Sequence, residues 1–302
     1  MNLSEATAQY VAMMNASGYA FVNQACTLSA FCRSVADPQL GTIQADDLIS
    51  YLDRRNIART TWRNKYATLR RFFEFWCCRE LMPPLELAPP RPKVGQAFMP
   101  YVYSREEMQR LLDSAALCQA SKNCCVTSAT LRVLLLTLYG TGARLGEVLS
   151  LKTCDLDATT TTLNISRGRG VHRKLPLNHD LGALLICHLE TREVPCSKAD
   201  LLFAGRGGNP IPQRTLRQSF VRLCRTAQVQ RRYAREFKPR LNDFRTTFAV
   251  HRITSWIRNG DNLNRMLPAL AVYMGHASLT ATEQYLHRTP ERFREHLELL
   301  SP

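Results

Sequence analysis

The chain has 302 residues, with 40 Lys plus Arg against 25 Asp plus Glu, a net charge of +15 and a hydrophobic fraction of 45%. This length and apolar content exclude a disordered tail and leave room for two domains with real cores, and the charge favours a polyanionic partner. No apolar run approaches the roughly 20 residues that span a bilayer, and Met1-Asn2-Leu3-Ser4-Glu5 lacks a basic-then-apolar leader; nucleic acid is therefore expected over a membrane, in a cytoplasmic, nucleoid-associated protein.

Residues 1–82 read as a helical domain. Phe21, Ala25, Leu28, Phe31, Cys32 and Val35 form one apolar stripe, Leu48, Ile49 and Leu52 a second, and Trp62, Tyr66, Leu69, Phe72, Phe73 and Trp76 a third. Aromatic stripes of this spacing are core more often than base-stacking platforms. Arg54, Arg55, Arg59, Arg63, Lys65, Arg70 and Arg71 concentrate between and along the last two helices, a density that suits phosphate contacts. Proline-rich residues 83–100 read as a semi-extended linker.

A second domain, 101–302, opens with a capping box, Ser104 to Glu107, ahead of a helix carrying Met108, Leu111 and Leu112. The run Leu131 to Tyr139 reads as a buried helix stopped by Gly140 and Gly142. Arg144 then heads the next helix, where guanidinium and backbone N–H groups could face one phosphate. Residues 161–177 read as a β-hairpin, with Arg167 and Arg169 at its tip and Lys174 on the return strand. Asp180 to Arg192 reads as a helix with Leu181, Leu184, Leu185 and Leu189 inward, followed by a loop from Gly205 to Pro212. From Arg206 to Arg258 the chain is crowded with arginine, opposed only by Glu236 and Asp243, and most of these side chains are expected on backbone phosphates. Arg245 falls on the polar side of an apolar-periodic segment, Asn242 to Val250. His276 and Tyr285 stand nine positions apart. Leu279, Thr282 and Leu286 at helical spacing, behind a Ser278 cap, predict that the tyrosine rides and is presented by a short helix starting just past the histidine. His287 reads as structural, and Pro290 to Leu300 as a terminal helix.

Eleven cysteines, odd in number and irregularly spaced, argue against disulfides and against zinc. Cys26, Cys32, Cys187 and Cys224 fall in amphipathic stretches and are expected as small buried thiols.

The ordered set of motifs resembles the tyrosine recombinases of the phage-integrase and Xer class. The first is a T-G-x-R-x-x-E-x-L turn, matched from Thr141 to Leu149 with Glu147 in place; the second is H-x-L-R-H-T-F-A, matched from Asn242 to Ala249; the third runs from Met274-Gly275-His276 to Tyr285. The resemblance covers the last two-thirds of the chain. It implies a mainly α fold with a small antiparallel hairpin sheet, a two-domain architecture with residues 1–82 as a DNA-gripping domain, and site-specific cutting and rejoining of DNA. By that resemblance Tyr285 is the nucleophile, Arg144 and Arg245 clamp the phosphate, and His276 bonds the phosphate or handles a proton. The chemistry fits these residue types. Attack of a tyrosine hydroxyl on a phosphodiester builds negative charge on the non-bridging oxygens, which planar, always-charged arginine forks meet without a metal. A phosphotyrosyl adduct conserves the bond energy, so no ATP or other cofactor is required.

Two positions depart from the family pattern. Asn242 stands where the family carries histidine, so it can donate to a phosphate oxygen but cannot shuttle a proton. The hairpin lysine expected as general acid is replaced at the tip by arginine, leaving Lys174 as the only lysine there, and that role stays open. The extra length between Arg245 and His276 looks more like integrases of transposons and other mobile elements than the compact Xer pattern, so integration or excision of such an element is favoured over Xer-like dimer resolution. A type IB topoisomerase fits the motifs less well, and a DNA-binding regulator with a weakened site is the competing class. The expected partners are double-stranded DNA and, by resemblance, three further copies in a homo-tetramer, with or without related recombinases and with no membrane.

Overall fold

The third aromatic stripe sets the core of the N-terminal unit. Helix α4, Arg59–Cys77, buries Trp62, Tyr66, Leu69, Phe72, Phe73 and Trp76 along one face, because residues three and four apart align at 3.6 residues per turn. Three further helices close over it: α1, Leu3–Ala16; α2, Val22–Ser34; and α3, Ala45–Asp53. Tyr10 of α1 meets Phe72 and Phe75 edge to face at 5.3 and 4.8 Å. Trp62 stacks on Tyr66 at 5.2 Å and donates its indole N–H to Asp53 at 2.7 Å. These rings are spent on packing, as the spacing predicts. Arg59, Arg70 and Arg71 remain exposed on the opposite face.

The computed structural model describes residues 1–19, 21–54, 57–87, 99–118, 124–167, 171–192, 200–232 and 238–289. Two compact units, Met1–Ala97 and Phe98–Pro302, divide the chain within the proline-rich stretch. Most of the predicted linker, the hairpin tip with Arg169, and the predicted terminal helix 290–300 lie outside the described residues. No described helix is long and apolar enough to cross a membrane.

The C-terminal unit is built around α6, Ser128–Thr141, whose Leu131, Val133, Leu134, Leu135 and Leu138 are all buried. Helices α5, Arg105–Cys118; α8, His179–Glu190; and α10, Asp243–Asn259, pack on it. The predicted capping box forms: Ser104 N–H donates to Glu107 at 2.9 Å and Glu107 N–H to the Ser104 hydroxyl at 3.2 Å. The same carboxylate takes the Tyr101 hydroxyl and Arg232, each at 2.6 Å, so this buried charge is fully partnered. A six-residue helix α7, Leu145–Ser150, leads into a three-stranded antiparallel sheet: β1, Leu156–Asp157; β2, Thr162–Arg167; and β3, Val171–Pro176. Leu163 pairs with Leu175 and Ile165 with Arg173, which fixes Leu163, Ile165 and Leu175 on the buried face.

Helix α9, Gln213–Thr226, turns Leu216, Phe220, Leu223 and Cys224 inward and leaves Arg214, Arg217, Arg222 and Arg225 exposed. Helix α11, Leu263–Met274, and the four-residue α12, Thr280–Glu283, pack with α10 around a smaller core. Two cysteine expectations are corrected. Cys32 and Cys224 are buried, but Cys26 and Cys187 are exposed, because each falls one position off its helix's apolar stripe.

Gly142 ends α6 at φ +59°, a conformation that side chains resist, and a Cβ there would sit 2.4 Å from Phe248 of α10. Gly260 shares the backbone conformation at φ +75° but has open space around it. Gly142→Ala is therefore expected to cost about 2–4 kcal/mol, backbone strain plus overpacking, against about 1 kcal/mol for Gly260→Ala. Paired thermal melts check this. Equal losses in melting temperature would contradict the close approach of α6 and α10.

Candidate active site

The turn after α6 delivers Arg144 as the N-cap residue of α7. Its backbone N–H donates to Glu147 Oε2 at 2.9 Å and its Nη1 to Glu147 Oε1 at 3.0 Å. The backbone N–H of the N-cap itself is thus satisfied internally by the capping carboxylate. Arg144 remains about one-third exposed, at 34% of its side chain.

Arg245 departs from the polar-side expectation, because it is half-buried and spans two helix ends. Its Nη1 donates to the Gly142 carbonyl and its Nη2 to the Met274 carbonyl, both at 2.8 Å. Gly142 caps α6 and Gly275, next after Met274, caps α11, so carbonyls left over at both C-termini find one guanidinium. Burial, and then the neighbouring charge of Arg144, bring the Arg245 pKa down to about 10. It stays a cation at neutral pH.

Arg173 enters from the hairpin. Its Nη2 meets Glu147 Oε2 at 2.8 Å, its Nη1 meets Oε1 at 3.3 Å, and its Nε donates to the Tyr273 carbonyl at 3.1 Å. Burial pushes the Glu147 carboxyl up, but hydrogen bonds from Arg173 and the Arg144 backbone, together with the Arg173 charge, outweigh it and bring the pKa to about 2. Lys174, one residue on, is exposed and paired across from Asn164, on the face of the strand opposite Arg173. The side chain of Arg167 and all of Arg169 lie outside the described residues.

His276 follows Gly275, whose left-handed φ of +66° reverses the chain. Its Nδ1 lies 2.6 Å from the Thr282 hydroxyl, which is fully buried. That contact fixes the ring orientation. The predicted helix is shorter than the spacing implied: α12 covers Thr280–Glu283, with Leu279 rather than Ser278 at the cap, and Tyr285 stands at the entry to a 3₁₀ turn, Leu286–Arg288. Tyr285 is packed and not presented, with 5% of its surface exposed. Its ring stacks on His276 at 6.0 Å, and Arg288 lies 5.7 Å over its face. Asn242 is exposed, three residues before Arg245, with its backbone carbonyl accepting the Arg245 N–H at 3.3 Å.

Arg144, Arg245, His276 and Tyr285 are thus brought together, while Lys174 is turned away and Asn242 stands at the edge. Arg173 and Thr282 are site neighbours that sequence reasoning gave no role. The inward register of Arg173 beside Leu175 was the signal for the first, and the threonine at one helical turn from Tyr285 was the signal for the second.

Residues 104–292 match the model of the phage integrase family, well over half of the chain. A putative integrase/recombinase y4rB of Sinorhizobium fredii is 29% identical over 98% of this chain and 96% of its own. The tyrosine recombinase XerC of Staphylococcus saprophyticus is 28% identical over 83% of this chain and 78% of its own. Among solved structures, the Tn1549 transposon integrase in complex with a circular intermediate DNA is similar with a TM-score of 0.63, at 19% identity over all of both chains. A lambda integrase tetramer bound to a Holliday junction gives a TM-score of 0.66, at 15% identity over 94% of this chain and 77% of that one.

The depressed Glu147 pKa fixes the sign of a pH effect. A carboxyl held near 2 against an ordinary value of 4.5 stabilises the fold above pH 4.5 and loses that contribution as pH falls toward 2. Glu147→Gln is expected to lower the unfolding free energy by about 2–3 kcal/mol at pH 7, with the gap narrowed to about half at pH 3 and closing only below pH 2. Urea melts at both pH values measure it. A gap of the same size at pH 3 would contradict the paired carboxylate.

Proposed function

The chain belongs to the phage integrase family, and from that premise we propose that it is a site-specific DNA recombinase in which Tyr285 is the nucleophile. The observation that supports this assignment most strongly is Arg245 bonded to both the Gly142 and the Met274 carbonyls, which joins the Arg144 turn to the His276 turn beside Tyr285.

In this reading Arg144 and Arg245 hold the non-bridging oxygens of one phosphodiester. The Tyr285 hydroxyl oxygen attacks phosphorus, a tyrosyl O–P bond forms to the 3′ side, and the P–O5′ bond breaks. The leaving oxygen takes a proton and departs as a free 5′ hydroxyl. A 5′ hydroxyl from a second duplex then reverses the steps, releasing the tyrosine and joining a new strand pair. His276, held by Thr282, donates to the phosphate or passes the phenol proton. Asn242 contributes a hydrogen bond at the rim. Because Lys174 lies on the face of β3 opposite Arg173, the hairpin serves the leaving oxygen through Arg167 or Arg169, which stabilise it without readily giving up a proton. Because Tyr285 is buried, its short segment turns outward when DNA binds, exchanging the Arg288 and His276 contacts for the phosphate.

The partner is double-stranded DNA. Residues 1–82 grip it from one unit, and the exposed arginines of α9 from the other. Arg232 and Arg240 are committed to Glu107 and Asp243, whereas Arg214, Arg217 and Arg225, with Arg222, are exposed on α9 and are offered to phosphates. The similarity to a transposon integrase on circular intermediate DNA and to a tetramer on a Holliday junction supports movement of a mobile element by four copies together.

Nicked DNA built from the ends of the element that encodes the protein tests the assignment. A denaturant-resistant DNA adduct is expected, absent in Tyr285→Phe and reduced at least 100-fold in Arg144→Ala or Arg245→Ala. Normal DNA binding with no adduct would favour a regulator that has lost catalysis. Separately, replacing Arg214, Arg217 and Arg225 by Ala is expected to weaken binding across all sequences and to lower the salt slope of log K by about one per arginine. An unchanged slope would remove α9 from the interface.

A further inference from the structure

Arg173 occupies a strand position that the alternation of β3 assigns to the core. Its cross-strand partner is Ile165, and the next residue on the same face is Leu175; both are buried. A cation placed there is costly unless a carboxylate meets it. Glu147 does so with both oxygens, in a side-on pair whose members are only 10% and 7% exposed. A guanidinium so enclosed is shielded from a phosphate and has both terminal nitrogens already engaged, unlike Arg144 at 34% exposure.

Three elements of the site converge on this side chain. Glu147 is shared with Arg144, which contributes both its Nη1 and its backbone N–H. The Tyr273 carbonyl, three residues before His276, accepts the Arg173 Nε–H. Gly275 lies against it so closely that a Cβ there would stand 2.8 Å from Arg173 Nη1. The strand that carries Arg173 also carries the hairpin that leads to Arg167 and Arg169.

We propose that Arg173 is a positioning residue of the recombination reaction: through Glu147 and the Tyr273 carbonyl it locks the hairpin, the Arg144 turn and the His276 turn into one geometry. This rests on the recombinase reading above. It also accounts for the identity of the residue. A lysine offers a point charge and cannot bridge a carboxylate and a carbonyl with a planar fork.

The test uses the full chain with Arg173→Gln, Arg173→Lys, Glu147→Gln and the double variant Glu147→Gln/Arg173→Gln. At saturating protein on nicked DNA, Arg173→Gln is expected to slow adduct formation by about 10- to 100-fold, the cost of about an ångström of misplacement, while DNA affinity stays within about threefold. Arg173→Lys is expected to restore part of the rate. Because the two residues act as one unit, the double variant is expected to be little slower than the worse single variant. A rate for Arg173→Gln equal to the parent, or losses that multiply in the double variant, would overturn the proposal. A second readout stands free of activity: amide hydrogen exchange in Arg173→Gln, or in Arg173→Lys should the first fail to fold. It is expected to speed up at residues 144–148 and 274–276 and to stay unchanged in α4. Unchanged exchange at both turns overturns the positioning role even where the rate falls. Faster exchange at both turns with no adduct from the parent protein counts against the recombinase reading alone.

Discussion

A single buried carboxylate organises the arginine cluster. Glu147 accepts two guanidinium groups and one backbone N–H, and it is more than nine-tenths buried. Around it stand Arg144, Arg173 and Arg245, three positive charges; burial first, and then the charges of Arg144 and Arg173, bring the Arg245 pKa down. At low effective dielectric the repulsion among the three is substantial. One carboxylate offsets only part of it, so the cluster retains positive charge beside Tyr285, and in the proposed function a DNA phosphate completes the balance. On that proposal the site is assembled before its substrate arrives but electrostatically unsatisfied until then, as is required of a clamp for a transition state richer in negative charge than the ground state.

The proposed nucleophile belongs to a different hydrophobic cluster. Tyr285 packs with Phe248, Ile253, Leu267, Leu270 and Met274, a cluster separate from the main core around α6. The helix before it, α12, has four residues, and Tyr285 itself heads a three-residue 3₁₀ turn. Short elements with few buried contacts are the ones that open at low cost. In the proposed reaction this placement divides the work: the arginines around Glu147 would hold the phosphate while the tyrosine on the small satellite core moves.

Much of this was legible in the sequence, for reasons that can be named. The α4 stripe from Trp62 to Trp76 is long and strictly periodic, and every predicted inward residue is buried. The Ser104–Glu107 capping box is a local motif whose partners lie three residues apart, and it forms as predicted. Arg144, Arg245, His276 and Tyr285 were found by motif order, which survives without any knowledge of distances. Long-range contacts were not legible. Nothing local to Arg245 says that two carbonyls, from Gly142 and Met274, wait for it, so an apolar-periodic helix read as having its arginine in solvent. Tyr285 failed the same way. Its presentation was inferred from a helix that ends two residues short, and its burial comes from packing against α10 and α11, which the local spacing does not show. Arg173 was passed over because an arginine in a basic hairpin looks like one more phosphate contact until its register is known.

The most direct test of the account is peptide mass spectrometry on the DNA adduct after nuclease digestion, which reads the modified residue itself. The account predicts a nucleotide remnant linked through phosphate to Tyr285 and to no other side chain. A remnant on Tyr273, on another tyrosine or on a serine would contradict it, because the clamp formed by Arg144 and Arg245 would then face a different nucleophile.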